Sequence, residues 1–195
     1  MPSRILLALV LASSALAAGP GVFRTDTTHT VIGFKAQTLL FDVPGRFDRY
    51  KLEATGTPED PRDARIRLEI ETASVDTANP KRDDHLRSGD FFDAAKYPAI
   101  IFTSSRVSRE GDKVTVHGTL EMHGKSQALD IPFQVREGIN GAGKKTWSFR
   151  ATLPLDRLAF GVGADSIAAK ISLEKKVELD LMLVGFFEEG KAPAK

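Results

Sequence analysis

Three residues with metal-binding chemistry lie close together in the middle of the chain. Glu121 lies four positions after His117, and His123 lies two positions after Glu121. Because both separations are even numbers, the three side chains share one face of a β-strand. A strand rises about 3.4 Å per residue, which places the two histidines roughly 20 Å apart. Because a zinc–nitrogen bond is about 2 Å long, one ion cannot bind both histidines. We therefore predict no metal site here and interpret these residues as the solvated face of a strand.

A glycine-rich segment resembles a phosphate-binding loop. Gly138, Gly143 and Lys144 match positions of that motif, but Lys145 stands where a Ser or Thr would hold magnesium. Residues 147–153 then alternate as a strand, whereas the motif requires the start of a helix. We interpret this segment as a hairpin loop.

The serines and carboxylates carry no sequence signature of catalysis. The chain contains neither a G-x-S-x-G elbow nor an H-E-x-x-H segment, and Ser104 and Ser105 stand in neither context. The pair Asp83-Asp84 is more typical of the first turn of a helix than of an acid–base pair. We predict no catalytic residue and no cofactor, although a triad of residues distant in sequence leaves no such signature.

The composition is that of an ordinary globular protein. The 195 residues carry 27 Lys and Arg against 26 Asp and Glu, and this balance lacks the clustered basic charge that nucleic-acid binding requires. The chain contains no cysteine, which excludes disulfides, thiolate metal sites and cysteine nucleophiles.

The first residues have the features of a secretory signal peptide. Arg4 precedes an uncharged apolar run at residues 5–12, and Ala15-Leu16-Ala17 provides small residues for cleavage. That run is shorter than the roughly 20 residues that span a membrane. We predict a signal peptide at 1–17, one domain at 18–187 and a flexible tail at 188–195. The mature protein is then expected in the periplasm or secreted, without a lipid anchor because it has no cysteine.

Alternation of apolar and polar residues is the main structural signal. It is clear at residues 65–71, 114–122, 129–136, 147–153 and 176–183, and weaker at 30–37, 45–54 and 99–107. A period of two predicts strands with one buried and one solvated face, which is the antiparallel pattern. About eight such strands predict an all-β sandwich or barrel. Pro132 within one of them predicts an edge position or a bulge.

Residues 79–98 break this alternation. Asn79 and Pro80 can begin a helix and Gly89 can end it, so we predict a short helix at 80–88. Phe91 and Phe92 follow in a loop, and strand alternation cannot turn both rings to the core. We expect one ring to line the mouth of a cavity, since eight strands can enclose one small ligand.

The block from His85 to Asp93, followed by Tyr97-Pro98 and Phe102-x-Ser104, resembles a specific motif of the YceI-like, polyisoprenoid-binding family. Four further segments resemble the rest of the family pattern in the same order: Asp26-x-x-His29-Thr30 with Phe34, Gly45-x-Phe47, Gly118-x-Leu120 with His123-Gly124, and Arg157-x-x-Phe160-Gly161. Thr30 stands where the family usually has Ser. The resemblance covers residues 23–187.

This resemblance implies an extended eight-stranded antiparallel, lipocalin-like barrel with a long apolar cavity and a short helix at its mouth. It implies a non-enzymatic protein that carries a long-chain isoprenoid lipid, such as a polyprenyl pyrophosphate or an isoprenoid quinone, or a similar amphiphile. We expect a monomer or a homodimer that binds no nucleic acid and that can contact a membrane transiently. The alternatives are an exported enzyme acting on an apolar substrate in the same cavity, and an envelope stress or protein-interaction module.

The candidate ligand-binding residues belong to the region around the proposed mouth. We expect the apolar tail of the ligand to contact Phe34, Leu86, Phe91, Phe92, Tyr97, Phe102 and Phe160. We expect its head group to contact Arg82, His85, Arg87 and Arg157, which offer cationic or hydrogen-bonding groups. Burial contributes about 0.8 kcal/mol per methylene group, so most of the affinity is expected from the tail. For each arginine, a solvated charge or a structural ion pair is the alternative.

Overall fold

The computed structural model describes residues 20–57 and 60–188. The predicted signal peptide at 1–17 lies outside these residues, and so does the predicted tail apart from Glu188, which ends the last strand. No helix within the two described ranges is both long enough and apolar enough to cross a membrane.

The described chain is built mainly from β-strands. In order, the elements are β1 (Gly21–Thr25), β2 (Val31–Thr38), β3 (Asp42–Phe47), β4 (Tyr50–Thr57), β5 (Asp60–Glu71), β6 (Val75–Asp76), α1 (Pro80–Arg87), β7 (Ala99–Glu110), β8 (Lys113–Met122), β9 (Lys125–Ile139), β10 (Lys145–Asp156), α2 (Ile167–Ser172) and β11 (Leu173–Glu188). Short 3-10 turns lie at Thr72–Ser74 and Arg157–Phe160.

The strands close into an antiparallel barrel with eight strand positions. Three positions each hold two short strands end to end, namely β1 with β2, β3 with β4, and β5 with β6. The strands β7 to β11 fill the other five. The long β11 closes the barrel, because it pairs with β10 along one edge and with β1 and β2 along the other. The predicted all-β, lipocalin-like barrel is confirmed.

The predicted alternation becomes the inner and outer wall of this barrel. In β8, Val114, Val116 and Leu120 are buried, while Thr119 and Glu121 are exposed. The inward side chains of the other strands join them in one apolar cluster. Burial of this inner face is what drives the sheet to close, since it removes the apolar side chains from water.

One predicted strand, at residues 45–54, is interrupted at Asp48 and Arg49. There the main chain leaves the sheet ladder, and the N–H of Asp48 donates to the carbonyl of Ser74 at 3.1 Å. The N–H of Arg49 donates to the Ser74 hydroxyl at 3.1 Å. The 3-10 turn thus replaces the neighbouring strand as hydrogen-bond partner, and one predicted strand becomes β3 and β4.

The barrel has two different ends. We call the end that carries α1, α2 and the turn between β2 and β3 the helical end. The other, the hairpin end, carries the β7–β8 and β9–β10 turns. The start of β1 at Gly21 and the end of β11 at Glu188 also lie at this end, where Val22 pairs with Glu188.

The helix predicted at 80–88 is confirmed at Pro80–Arg87, with the Asn79 side chain accepting from the Arg82 N–H. Neither the alternation nor the capping signals used above predicted α2.

The sheet ladder is open along two seams. Within the described residues, no register pair joins 125–133 of β9 to 151–156 of β10, or 60–66 of β5 to 104–110 of β7. Pro132 lies on the first seam and has a neighbouring strand, β8, on one side only, so the predicted edge position is confirmed. At the start of the second seam, the Ser104 hydroxyl accepts from the Ile66 N–H at 2.8 Å.

Candidate functional site

The barrel encloses two neighbouring compartments with mainly apolar linings, which together we call the channel. The larger compartment has a volume of about 430 Å³ and lies toward the hairpin end. The smaller has about 130 Å³ and lies toward the helical end. The larger volume falls within the range of about 300–1,000 Å³ that is typical of ligand pockets. Both compartments are lined by the same ring of residues, which we call the waist: Ile32, Leu68, Phe102, Ile131 and Leu181.

Aromatic side chains make up much of the wall of the larger compartment. Phe23 contacts Phe149 and Phe187 edge-on, with ring centroids 5.8 and 5.2 Å apart, and Trp147 contacts Phe187 at 5.3 Å. None of these residues was predicted to bind a ligand. The available signal was the alternation itself, which turns Trp147 and Phe149 inward on β10.

Five of the seven predicted tail-contacting residues line the smaller compartment. They are Phe34, Leu86, Phe91, Phe92 and Phe102. Phe91 is buried, and the Phe92 ring packs edge-on against Phe47 at 5.7 Å. The structure therefore brings these five side chains together at one end of the channel, where contact with a ligand remains a prediction.

Tyr97 and Phe160 line neither compartment. The Tyr97 ring lies against His123, with ring centroids 4.7 Å apart, and beside Gly124. Phe160 is 2% exposed, and its carbonyl lies 3.2 Å from Nδ1 of His123. Tyr97 packs against the β8–β9 hairpin, and Phe160 connects the 3-10 turn at 157–160 to the same hairpin. Neither residue lines the channel.

Several rings that line the channel lie over glycines of a neighbouring strand, among them Phe34 and Phe102. The Phe34 ring lies over Gly45, where an added Cβ would lie 2.8 Å from its Cε1 atom. The Phe102 ring lies over Gly118, where an added Cβ would lie 2.6 Å from its Cζ atom. Each glycine leaves room for a ring that would otherwise project into the lumen.

We expect Gly118→Ala to lower the free energy of unfolding by about 1–3 kcal/mol, which is the usual cost of overpacking a core. The new methyl group would clash with the Phe102 ring and with the carbonyl oxygen of Thr103, and the ring would have to move into the waist. Urea denaturation checks this. Gly138→Ala is the matched control, since no atom lies within 4 Å of its added Cβ. Equal losses in both variants would contradict the explanation.

The predicted head-group arginines of α1 use their guanidinium groups to hold the main chain. Arg82 donates from Nε to the Thr77 hydroxyl at 2.7 Å and from its terminal nitrogen to the Thr77 carbonyl at 2.8 Å. Arg87 donates to the carbonyls of Ala73 at 2.8 Å and Val75 at 3.0 Å. These bonds fasten α1 to the segment 73–77, so much of the donor capacity is already used.

Arg157 is engaged more completely. It is 5% exposed, and it donates to the carbonyls of Glu174 at 2.9 Å, Val162 at 2.8 Å and Leu173 at 3.0 Å. Burial lowers the pKa of Arg157, because the charged guanidinium loses its hydration. The carbonyl dipoles replace that water, and one side chain thereby joins the 3-10 turn, the loop before α2 and the start of β11.

His85 is the fourth predicted head-group residue, and it remains exposed at the helical end. Its Nε2 atom lies 2.9 Å from Oδ2 of Asp90, and its ring contacts Phe91 edge-on with centroids 5.0 Å apart. His85 thus connects α1 to the loop that carries Phe91 and Phe92. Binding of a head group by His85 and the three arginines remains a prediction.

The structure also brings three side chains into an arrangement that the sequence did not predict. Nδ1 of His117 lies 2.8 Å from the Asp130 carboxylate, and its Nε2 lies 3.0 Å from the Ser108 hydroxyl. Acyl transfer by such a triad also needs oxyanion donors and a site that holds the substrate. Ser108, His117 and Asp130 point to the outer wall and line neither compartment. We interpret them as polar cross-links between β7, β8 and β9.

The two motifs that suggested a metal or a phosphate have other roles. Within residues 20–57 and 60–188, no group of three or more His, Asp or Glu side chains is placed to hold a metal ion. The glycine-rich segment forms the β9–β10 turn, in which the Asn140 N–H donates to the Lys144 carbonyl at 2.9 Å and Gly143 has a φ of +74°. The predicted hairpin loop is confirmed.

Comparison with known proteins agrees with this architecture. A family model described as YceI-like domain matches residues 23–184. A UPF0312 protein of Photorhabdus laumondii is 36% identical over 142 residues, which cover 71% of this chain and 70% of that protein.

Two solved structures have a similar fold. The crystal structure of Burkholderia cenocepacia BcnA has a TM-score of 0.74 at 26% identity and covers 83% of this chain and 99% of its own. A polyisoprenoid binding domain from Saccharophagus degradans, implicated in plant cell wall breakdown, has a TM-score of 0.63 at 18% identity and covers 86% and 98%. The second likeness concerns the fold alone.

Proposed function

This chain belongs to the YceI-like family, and from that premise we propose that it binds and carries a long-chain isoprenoid lipid, or a similar amphiphile, inside its barrel without catalysing a reaction on it. The observation that carries the proposal is the apolar channel, whose two compartments of about 430 and 130 Å³ meet at the waist. The solved polyisoprenoid binding domain from Saccharophagus degradans has the same fold, which supports the choice of ligand class.

The energetics favour a long chain over a small apolar molecule. Burial contributes about 0.8 kcal/mol per methylene group, whereas association costs on the order of 4–15 kcal/mol in lost freedom. At these values roughly 5–19 buried carbons only offset the cost of association, so tight binding requires a longer apolar chain. A polyprenyl or quinone tail meets this requirement, and the larger compartment supplies an aromatic and aliphatic lining for it.

The proposed place of action is the periplasm or the extracellular space. Support comes from the signal-peptide features of residues 1–17. In such a compartment a water-insoluble lipid needs a protein to enclose it between membranes. Identification of the extracted ligand distinguishes a polyprenyl pyrophosphate from an isoprenoid quinone.

Native mass spectrometry of the protein purified from its own compartment tests this function. We expect one bound amphiphile per barrel, which organic extraction releases and identifies. Protein stripped of ligand should then bind an added polyprenyl lipid with one-to-one stoichiometry. Recovery of empty protein alone, together with no binding of added polyprenyl lipid or long-chain quinone, would overturn the proposal.

An enzyme acting on a substrate in the same channel is less well supported. The one nucleophile–base–acid arrangement found among the described residues, at Ser108, His117 and Asp130, faces the outside of the barrel. A ligand in either compartment would lie on the other side of the sheet from the Ser108 hydroxyl. The geometry therefore supports carriage of the ligand.

A further inference from the structure

Five exposed apolar side chains gather at the helical end. In the turn between β2 and β3, Leu39, Leu40 and Phe41 are 71%, 89% and 61% exposed. On α2, Ile167 and Ile171 are 75% and 70% exposed. We call these five residues the apolar patch. Contiguous exposed apolar surface on a soluble domain usually marks an interaction site.

Hydrogen bonds hold the two segments of the apolar patch side by side. The Leu39 N–H donates to the Ser172 carbonyl at 3.2 Å, and Thr38 pairs with Leu173 in the sheet. Within the turn, the Thr38 hydroxyl donates to the Phe41 carbonyl at 2.6 Å. The exposure of the patch is therefore built into the local structure.

Buried contacts hold α2 in the orientation that exposes its isoleucines. The Ser166 hydroxyl caps the helix by accepting from the Ala169 N–H at 3.3 Å. Ala169 itself is 2% exposed, so the opposite face of the helix, with Ile167 and Ile171, must point to solvent.

The apolar patch continues into the smaller compartment. Leu173 follows α2 directly and Ala36 lies two residues before Thr38, and both line that compartment together with Val177. An apolar chain could pass from a surface that covers the patch into the channel without crossing water. This continuity favours an occupant that itself holds apolar chains.

The charge of the patch is suited to a lipid surface. Within residues 38–41 and 167–173, the single charged side chain is Lys170, and it is exposed. The exposed Asp42 directly follows Phe41, so both a cation and an anion lie beside the patch. Its apolar side chains match the acyl boundary of a bilayer, and Lys170 can meet lipid phosphate there.

We propose that the apolar patch docks the protein onto the surface of a lipid bilayer, so that the ligand passes between the bilayer and the smaller compartment. The proposal rests on the proposed function, since it names the surface from which the lipid ligand enters. It adds a defined orientation, with the helical end toward the membrane and the hairpin end toward water.

Vesicle binding tests the docking step separately from ligand binding. The probes are phosphatidylcholine vesicles with and without phosphatidylglycerol, and the variants are Leu40→Asp and Ile171→Asp. We expect each variant to reduce the partition coefficient by about tenfold or more, because a charge replaces an inserted apolar group. Ile139→Asp is the matched control, since Ile139 is 70% exposed at the opposite end, and it should bind vesicles as the unmodified protein does.

A second measurement keeps the two proposals distinguishable. Transfer of a fluorescent polyprenyl lipid from vesicles to the protein should slow by about tenfold in Leu40→Asp, while equilibrium binding of a detergent-dispersed lipid stays unchanged. No vesicle binding by the unmodified protein, or equal losses in Ile139→Asp, would overturn docking and leave the proposed function intact. A dimer in sedimentation that Leu40→Asp converts to a monomer would also overturn it, since a second copy would then cover the patch.

Discussion

Arg157→Leu is expected to lower the free energy of unfolding by about 3–5 kcal/mol, the largest stability effect of a single substitution that we predict. The leucine would fill part of the volume but leave the carbonyls of Val162, Leu173 and Glu174 without their donor. Each buried polar group that loses its partner costs about 1–3 kcal/mol. The start of β11 and the 3-10 turn would separate, and the helical end of the channel would loosen with them.

Thermal and urea denaturation measure this effect. For a domain of this size, a loss of this magnitude corresponds to a fall in Tm of about 10 °C. Arg150→Leu on β10, the strand that precedes this 3-10 turn, is the control, because its side chain is 62% exposed and lies 3.9 Å from Asp180. An exposed pair of this kind contributes about 0–1 kcal/mol. Similar losses of unfolding free energy in both variants would show that the carbonyl contacts of Arg157 do not stabilise the protein.

Arg157→Lys distinguishes a requirement for charge from a requirement for shape. A lysine keeps the positive charge but lacks the planar fork that reaches several carbonyls at once. We therefore expect the lysine variant to recover only part of the stability lost in Arg157→Leu. Full recovery would mean that a buried cation is sufficient.

Most of the barrel could be predicted from the sequence because its signals are local. Alternation placed the strands, since side chains two residues apart share a face. The Asn79 cap and Pro80 placed α1, since both act within one turn of the helix. The break at Asp48 was not predictable in this way, because its partner is Ser74, which belongs to a different strand position.

The candidate site was less predictable because its properties depend on pairings between strands. At the waist, the Phe102 ring lies over Gly118. This contact depends on the register between β7 and β8. The arginines were chosen for their residue type and their position near the proposed mouth, and binding of a head group by them stays a prediction. Their partners are main-chain carbonyls, which every residue possesses and which therefore leave no pattern in a sequence.

The same reason explains why the larger compartment was missed. The sequence signal for a ligand site lies in the family-like block near Phe91 and Phe92, which lines the smaller compartment. Phe23, Trp147 and Phe187 come from three separate strands and meet only when β11 closes the barrel. The alternation indicated that Trp147 faces inward, but it could not indicate whether the indole fills the interior or lines a space.

Ala54→Trp is expected to weaken binding of the lipid ligand about a hundredfold while the protein remains folded. Ala54 is half-buried on β4 and lines the larger compartment, so the indole would project into the existing space. Displacing about four methylene groups at roughly 0.8 kcal/mol each removes about 3 kcal/mol of binding free energy. Because a cavity becomes filled, the free energy of unfolding should be unchanged or raised by up to about 2 kcal/mol.

Titration of stripped protein with a fluorescent polyprenyl lipid measures this effect, and urea denaturation of the same samples measures stability. Lys51→Trp is the matched control, because Lys51 lies on the same strand with its side chain 72% exposed on the outer wall, and its affinity should equal that of the unmodified protein. The pair of variants separates the channel from the surface as the place of binding. Unchanged affinity in a folded Ala54→Trp protein would place the ligand outside the larger compartment, and an equal loss in Lys51→Trp would place it on the outer wall.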